Sequence, residues 1–537
     1  MSISHKRRRR RTLLLASVVP LVVGAGVYAA AGAGASVTGT RGATNATRAV
    51  HATSAAQATG TTGATNWISW TGGKLVYGHD AQGNRVPDYS FAGYEGGGVP
   101  LPVAAVRQRV GAPSGGDDTA RIQAAINAVA KLPVGANGLR GAVLLAPGGY
   151  RIDSALHIDA SGVVLRGSGN GSGGTRLVAH GATARTLITV GGSSRYTAVG
   201  AATKVTDSYV PVGATSLDVA STSGLKIGSE VVVQRPTTQA WIDALGMRTL
   251  WSPNWSLYSE RRITAISGHR LSLDAPLTTA LEAKYTQATV YRYTFPRIDH
   301  VGIEDLSADG RAMAADPNYA KDFYGASLSS FGAVQDAWVQ DVTGEHFGQD
   351  GVAGLGSQSR RISVLHTATL DMLVNDATSA RSDGYTLEGQ QNLIQDCLVT
   401  ASKIHAFTTE AHQSGPNVYS RCTARLTQTA YDSGGHQRWG SGTLYDQVTV
   451  AGTLLMVNNG SRGTGHGWSD ANSTAWNCVT TLGYEVQAPP TADNWAFGCT
   501  GPLLSGSNGQ VVSGGRAVLP ASLYDEQLRE RGLRTIG

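Results

Sequence analysis

A four-residue pattern, apolar-polar-polar-apolar, recurs through the second half of the chain and constrains the fold more than any other feature. Clear copies are Ile303-Glu-Asp-Leu306, Val339-Gln-Asp-Val342, Ile362-Ser-Val-Leu365, Ile394-Gln-Asp-Cys397, Tyr419-Ser-Arg-Cys422 and Tyr445-Asp-Gln-Val448. Weaker copies end at Cys478 and Cys499. Successive copies end between 21 and 36 residues apart. A loose period of this size is typical of structural repeats joined by loops of variable length.

Short apolar segments at this period predict a coil of parallel strands. Each turn of such a coil buries its inward side chains only by stacking on its neighbours. Asn-Gly turns between alternating runs, which mark antiparallel hairpins, are scarce, and parallel rungs do not need them. The 69 glycines and the low charged fraction of 15% also suit many short strands and tight turns. We therefore predict an all-β fold: a right-handed parallel β-helix with an N-terminal capping helix and a small β insertion.

The four cysteines, all in the last third of the chain, occupy the last position of four copies of the repeat. At one inward position of successive rungs, Cys397, Cys422, Cys478 and Cys499 are expected to act as small hydrophobes in a stacked ladder. Parallel neighbouring side chains fit the dihedral angle of a disulfide poorly. We expect buried thiols, with a disulfide between neighbouring rungs as the alternative.

The first 35 residues have the composition of a secretory signal peptide. Six basic residues at positions 6–11 precede an apolar run over 13–28, and Ala33-Gly-Ala35 supplies a small-residue cleavage site. A retained membrane anchor is the alternative. We predict signal-peptide cleavage after Ala35 and a secreted protein, with the Sec and Tat export routes both open. The remaining boundaries are a flexible linker over 36–64, the N-terminal part of the β-helix with its capping helix over 65–202, a β insertion over 203–295, the main rungs over 296–515 and a C-terminal tail or cap over 516–537.

The positive charge of the chain lies in the predicted signal peptide. Lys and Arg number 44 against 38 Asp and Glu, a difference of +6, and the six basic residues of the leader account for it. The mature chain is therefore near neutral, which removes the electrostatic case for nucleic acid as a partner. No second long apolar run follows, so we expect no stable membrane insertion after cleavage, and we expect a monomer.

The segment before the repeats resembles the N-terminal part of the pectate lyase superfamily, which includes rhamnogalacturonase-like and epimerase-like proteins. The resemblance rests on Gly115-Gly-Asp-Asp-Thr119, the helical pattern that follows, and Gly141-Ala-Val-Leu-Leu-Ala-Pro-Gly-Gly-Tyr150. It implies a helix that caps the open end of the coil, with a first full rung at Val163-Val-Leu-Arg-Gly167. It also implies a carbohydrate-active enzyme that cleaves an acidic, uronate-containing polysaccharide by β-elimination or hydrolysis. Calcium is implied by the resemblance alone, since the residues themselves indicate no cofactor and no metal site.

Polar and aromatic clusters recur about once per rung between His405 and Trp495. We predict that the catalytic residues are Glu410, Asp432, His436, Arg438 and His466. The predicted substrate-binding residues are His405, His412, Trp439, Trp468, Asp470, Asn472 and Trp495. Aromatic rings stack on sugar faces, arginine pairs with a uronate carboxylate, and histidine or a carboxyl group moves protons.

Two chemistries and one non-catalytic function are compatible with these clusters. For elimination, Arg438 would neutralise a uronate and His436 or His466 would exchange the proton. For hydrolysis, two carboxyl groups among Glu410, Asp432 and Asp470 would flank the bond. A non-catalytic glycan-binding or adhesive surface protein is the alternative. Two weaker upstream pairs, His346 with Asp350 and Arg381 with Asp383, would extend the same groove.

Overall fold

A computed structural model describes residues 66–181, 183–315, 326–373, 383–401, 405–425 and 432–536. The predicted signal peptide, the predicted linker and Arg381 lie outside these ranges. None of the helices within them has the length and apolar character needed to cross a membrane.

The described chain winds as a coil whose strands pair in parallel with the strands of the next turn, on three lateral faces. The first face contains Val106–Val110, Gly141–Leu145, Val163–Arg166, Ile298–Asp299, Gly302–Asp309, Val334–Glu345, Arg360–Leu365, Leu393–Gln395, Ser414–Ser420, Gly440–Asp446, Asp470–Ala471, Thr474–Trp476, Trp495–Phe497 and Gln510–Val512. The second face contains the ends of the two long strands that begin at 302 and 334, with Gly148–Ile152, Thr175–Ala179, Ala368–Leu370, Leu398–Thr400, Thr423–Arg425, Thr449–Val450 and Val479–Thr480. The third face contains Leu156–Ile158, Ile188–Val190, Ser329–Phe331, Gly354–Leu355, Asp383–Leu387, His405–Thr409, Asp432–Gly435, Thr453–Met456 and Gly483–Val486. The predicted parallel β-helix is confirmed.

The repeat corresponds to the bend between the first and second faces. Its first positions stack in register, as in the pairs Ile303 with Val339 and Tyr419 with Tyr445. Its third position bends the chain, because Asp305, Asp341 and Asp396 all have positive φ, between 53° and 55°. Aspartate tolerates this left-handed conformation better than most residues, which explains the polar third position of the repeat.

One copy of the repeat was aligned incorrectly by its apolar pattern. Val339 pairs with Val364 rather than with Ile362, so the predicted alignment of Ile362-Ser-Val-Leu365 is wrong by two residues. Thr367 therefore takes the ladder position of Cys397, and its Oγ1 lies 3.2 Å from the Cys397 Sγ. The error arose because Leu365 packs outward, against the segment that covers the first face. All four cysteines are buried free thiols, as expected.

Two helices close parts of the coil. Helix α1, Thr119–Ala130, buries Ile122, Ile126 and Val129 in the core that fills the coil. A hairpin of strands Ile68–Thr71 and Lys74–Tyr77 and a C-terminal helix cover the outer side of the first face. The C-terminal helix, Leu523–Glu530, begins at Ser522, whose Oγ donates to Asp446 at 2.5 Å. Burial raises the pKa of Asp446 to about 7.

A folded antiparallel sheet interrupts the coil between the second and third turns. Its six strands are Thr197–Lys204, Ser216–Asp218, Glu230–Pro236, Ser256–Ser267, Arg270–Leu273 and Thr289–Thr294. A short strand pair, Tyr209–Val210 with Leu281–Glu282, and helix α2, Gln239–Ala244, belong to the same insertion. The first strand begins before the predicted boundary at 203. The sequence does not reveal this start, because the small residues of the strand give no alternating pattern. The insertion is thus a folded unit with its own core.

A buried ion pair fixes the insertion to the turns that lead from the third face to the first. Arg297 donates to both carboxylate oxygens of Glu260 at 2.6 Å, and the Glu260 backbone N–H donates to the Gln390 side chain at 3.0 Å. Burial alone would raise the pKa of Glu260, but Arg297 lowers it to about 2. The surface of the insertion beside Glu260 therefore has a fixed position next to the third face.

Candidate functional site

A ladder of ionisable side chains lies where the strands of the third face end. Leu387 pairs with Thr409, and Thr409 pairs with Gly435, on three successive rungs. The residues that follow these positions are Glu388, Glu410 and His436. Adjacent parallel strands are about 4.8 Å apart, so the two glutamates are neighbours one rung apart.

A second ladder lies where the same strands begin. Asp383, His405 and Asp432 occupy paired positions on the same three rungs. The Asp432 carboxylate is in direct contact with Nδ1 of His405. Burial lowers the pKa of His405, but Asp432, and then the charges of Asp383 and Glu410, raise it to about 9. His405 is therefore an imidazolium at neutral pH.

The carboxyl group of Asp350 lies among other carboxylates, one rung before Asp383. Its backbone N–H donates to the Asp383 carbonyl at 2.8 Å, and its Oδ1 is buried without a hydrogen-bond partner. Burial raises the pKa of Asp350 well above its ordinary value, and the negative charges of Asp383, Glu388 and Glu410 raise it further. The neighbouring negative charges and burial thus act in the same direction on the Asp350 carboxyl group and favour its protonated form.

The histidines of the site are close to one another and to Glu410. Nδ1 of His436 lies 2.6 Å from Oε1 of Glu410, and the Gln437 side chain donates to Oε2 at 2.8 Å. The His436 ring is 5.1 Å from that of His405 and 4.6 Å from that of His466, measured between centroids. Hydrogen bonds to both oxygens of Glu410 favour its ionised form and fix its direction. The structure thus brings together five sequence-predicted residues: Glu410, Asp432, His405, His436 and His466.

An open cleft of about 410 Å³ lies beside the first ladder, between Glu388 and the insertion. Glu388 and His412 come from the coil, and aromatic rings come from the insertion. The Trp255 indole stacks on the His412 imidazole with ring centroids 3.9 Å apart. Burial, and then Arg438, lower the pKa of His412 to about 4, so this ring is neutral at pH 7. The lining residues are Tyr196, Trp255, Ser256, Tyr258, Ser357, Gln358, Glu388, Gln390, Ala411, His412 and Ser414.

Arg438 braces a loop beside the cluster. Its Nη2 donates to the carbonyl of Thr464 at 2.8 Å and to the Thr464 hydroxyl at 2.5 Å. Its Nη1 donates to the Gln437 side chain, which in turn contacts Glu410. Arg438 thereby supports the residues that orient Glu410.

Of the three tryptophans predicted to bind substrate, two are fully buried and Trp468 is partly buried. Trp439 is 0% exposed, with its ring 4.8 Å from that of Trp241 in the insertion. The Trp468 indole donates to the Leu245 carbonyl at 3.1 Å. Trp495 is 0% exposed and contacts Trp67 beneath the segment that covers the first face. The buried rings of Trp439 and Trp495 offer no face to a sugar, because two elements distant in sequence cover them.

The polar residues Asp470 and Asn472 also have structural contacts. Asp470 accepts hydrogen bonds from the Gly435 backbone N–H at 2.7 Å and the Ser473 hydroxyl at 2.9 Å. Burial raises its pKa to about 7. Asn472 donates to the Thr278 carbonyl of the insertion at 2.9 Å. Both side chains hold loops in place rather than line the cleft.

Three acidic residues of the site were missed or given less weight by sequence reasoning. Glu388 was not predicted, and Asp350 and Asp383 appeared only in the weaker upstream pairs. A local signal was present, because Asp383-Gly-Tyr-Thr-Leu-Glu388 and His405-Ala-Phe-Thr-Thr-Glu410 have the same length, an aromatic residue at the same place and a terminal glutamate. Alignment on the third face would have found it. The repeat that marks the first face does not contain these residues.

One cluster of acidic and histidine side chains has the spacing of a metal site, and arginines occupy its ligand atoms. Within the ranges that the structure describes, one group, Asp309, Glu345 and His346, has ligand atoms within 4.8 Å of one another. Arg176 already donates to Asp309 at 2.8 Å and to Glu345 at 2.6 Å. Arg311 lies 2.7 Å from the remaining nitrogen of His346. Two guanidinium groups at this position make an ion-pair network that disfavours a further cation.

No protein-family model matches the chain, and no curated protein matches it. Solved structures with pectin lyase-like β-helix folds are similar to it at low identity. A tailspike protein of Pseudomonas phage LKA1 is 13% identical over 74% of this chain and 70% of its own, with a TM-score of 0.37. The pectate lyase Pel9A is 9% identical over 78% and 79%, with a TM-score of 0.35. An endo-xylogalacturonan hydrolase from Aspergillus tubingensis is 9% identical over 76% and 92%, with a TM-score of 0.38.

Proposed function

We propose that the protein is a secreted glycoside hydrolase that cleaves a polysaccharide in the cleft between the third face and the insertion. The observation that carries the proposal is Glu388, which lines an open cleft, with Glu410 at the equivalent position of the next rung. Two carboxyl groups on either side of a glycosidic bond are the usual requirement for its hydrolysis.

The surroundings of the two glutamates suit different roles. Glu410 is held by His436 and Gln437 as a carboxylate, so we assign it the role of base or nucleophile. Glu388 lines the cleft, and its negative charge is one of those that raise the pKa of Asp350. We assign Glu388 the role of general acid, because its carboxyl group faces the cleft beside these negative charges.

Hydrolysis has stronger support than elimination from a uronate. Elimination requires a cation on the uronate carboxylate, and the predicted candidate, Arg438, donates to Thr464 and Gln437. The acidic side chain that lines the cleft is Glu388, and its negative charge adds to those of Asp383 and Glu410. These would repel a uronate at the point where elimination needs to stabilise its developing negative charge.

The proposal is tested by incubating the purified protein with a panel of neutral and acidic polysaccharides. Release of reducing ends without an unsaturated, ultraviolet-absorbing product is the expected result. Glu388→Gln and Glu410→Gln should each lower turnover by about 100-fold or more, because each removes a proton-transfer group. The matched control is Glu95→Gln, an exposed glutamate outside the cleft, which should retain wild-type turnover.

Two outcomes would contradict the proposal. An unsaturated product would replace hydrolysis with elimination. Binding of a polysaccharide with no turnover by the wild-type protein would favour the glycan-binding or adhesive alternative.

A further inference from the structure

The insertion forms an aromatic wall on one side of the cleft. The rings of Tyr196 and Tyr258 stack with centroids 6.0 Å apart and planes 19° from parallel. The Tyr196 hydroxyl donates to the buried Glu260 carboxylate, which Arg297 holds in place. Tyr258 is 36% exposed, so a pre-positioned ring faces the open side. A rigid, partly exposed aromatic ring is suited to stacking on the C–H face of a sugar.

The charge of the cleft is unlike that expected for binding a polyanion. Among the described lining residues there is no lysine or arginine, and the acidic one is Glu388. His412 is neutral at pH 7 because burial lowers the pKa of its ring. A uronate residue in this cleft would lose water around its carboxylate without gaining a cationic partner, and it would face Glu388.

We propose that the cleft binds uncharged sugar units of a polysaccharide, with Tyr258 as a stacking platform supplied by the insertion. The polar lining includes Ser256 and Ser357, whose hydroxyl groups can donate hydrogen bonds to sugar hydroxyls and accept them. The inference rests on the proposed function, because it assigns a substrate class to the same cleft. It differs from the uronate polymer that the sequence resemblance implies.

The test measures binding to the full chain carrying Glu410→Gln, so that turnover does not consume the ligand. Soluble β-glucan, arabinoxylan and galactomannan are compared with polygalacturonate and alginate by affinity electrophoresis and calorimetry. At least one neutral polymer should bind, and the two uronate polymers should not. Adding Tyr258→Ala should weaken that binding by about tenfold, the change expected from losing one aromatic stacking contact.

The matched control is Ile227→Ala, which removes a hydrophobic side chain that is 67% exposed elsewhere on the insertion. It should leave the binding constant unchanged. Preferential binding of polygalacturonate or alginate, binding of no polymer, or equal affinity with and without Tyr258 would overturn the inference. Neutral-polymer binding by a wild-type protein that cleaves nothing would refute hydrolysis alone. Cleavage of polygalacturonate into saturated products would instead refute the neutral substrate and leave hydrolysis standing.

Discussion

The contact between His405 and Asp432 predicts a specific dependence of stability on pH. His405 has a pKa of about 9 in the folded protein, against 6.5 for an unperturbed histidine. The difference, at about 1.4 kcal/mol for each pKa unit, corresponds to a contribution of about 3 kcal/mol to the free energy of unfolding. The His405 side chain is 12% exposed and that of Asp432 is 27% exposed, so solvent screens this pair only partly.

The sign follows from the raised pKa. Between pH 6.5 and 9 the folded protein binds a proton that the unfolded chain releases. The contribution is therefore complete below pH 6.5 and is lost as the pH rises through 9. Asp432→Asn should lower stability by about 2–3 kcal/mol at pH 6 and by much less at pH 10. The stability of the variant should also change less with pH across this window than that of the wild-type protein. Without Asp432, burial disfavours the charged form of His405.

Urea unfolding followed by tryptophan fluorescence at intervals from pH 6 to 10 measures this dependence. The matched control is Asp341→Asn, because Asp341 forms a longer pair, 3.8 Å, with the more exposed His366. That variant should keep the wild-type pH dependence. Parallel curves for the wild-type protein and Asp432→Asn would refute the reasoning, since they would show that another group titrates.

Three further predictions concern the contacts that hold the C-terminal helix and the insertion on the coil. Asp446→Asn should make the melting temperature less dependent on pH between pH 4 and 7. The raised pKa of Asp446 contributes stability that is complete below pH 3.8 and is lost as the pH rises through 7. An unchanged pH dependence in the variant would contradict this. Trp439→Ala should lower the free energy of unfolding by about 3–5 kcal/mol, because it leaves a cavity at a fully buried site against the insertion. An unchanged midpoint of denaturation would exclude such packing. Glu260→Gln should leave Arg297 buried without its carboxylate partner and lower the free energy of unfolding by about 3–5 kcal/mol. Limited proteolysis of the variant should then cut first within residues 197–294. A first cut elsewhere in the chain would argue against the docking contact.

The coil was predictable because its stabilising contacts repeat along the chain. Every turn must place an apolar side chain at the same inward position, so the pattern appears locally wherever a rung occurs. The polar third position, as in Asp305 and Asp341, also has a local cause in the bend. The incorrect copy at Ile362 shows where this reasoning fails. Leu365 is apolar because a segment distant in sequence covers it, and the residues next to it in the sequence give no sign of that contact.

The site was predictable only in part, for the same physical reason. The strand order of the coil brings Glu410, His405 and His436 together. Their proximity therefore follows from the register of the repeat. The cleft is not, because Tyr258 and His412 meet only after the insertion docks on the coil. Trp439 is of a residue type that often binds sugars, but the docking of the insertion buries it. Burial and charge act through space between segments distant along the chain, and they decide which of the similar polar clusters faces solvent.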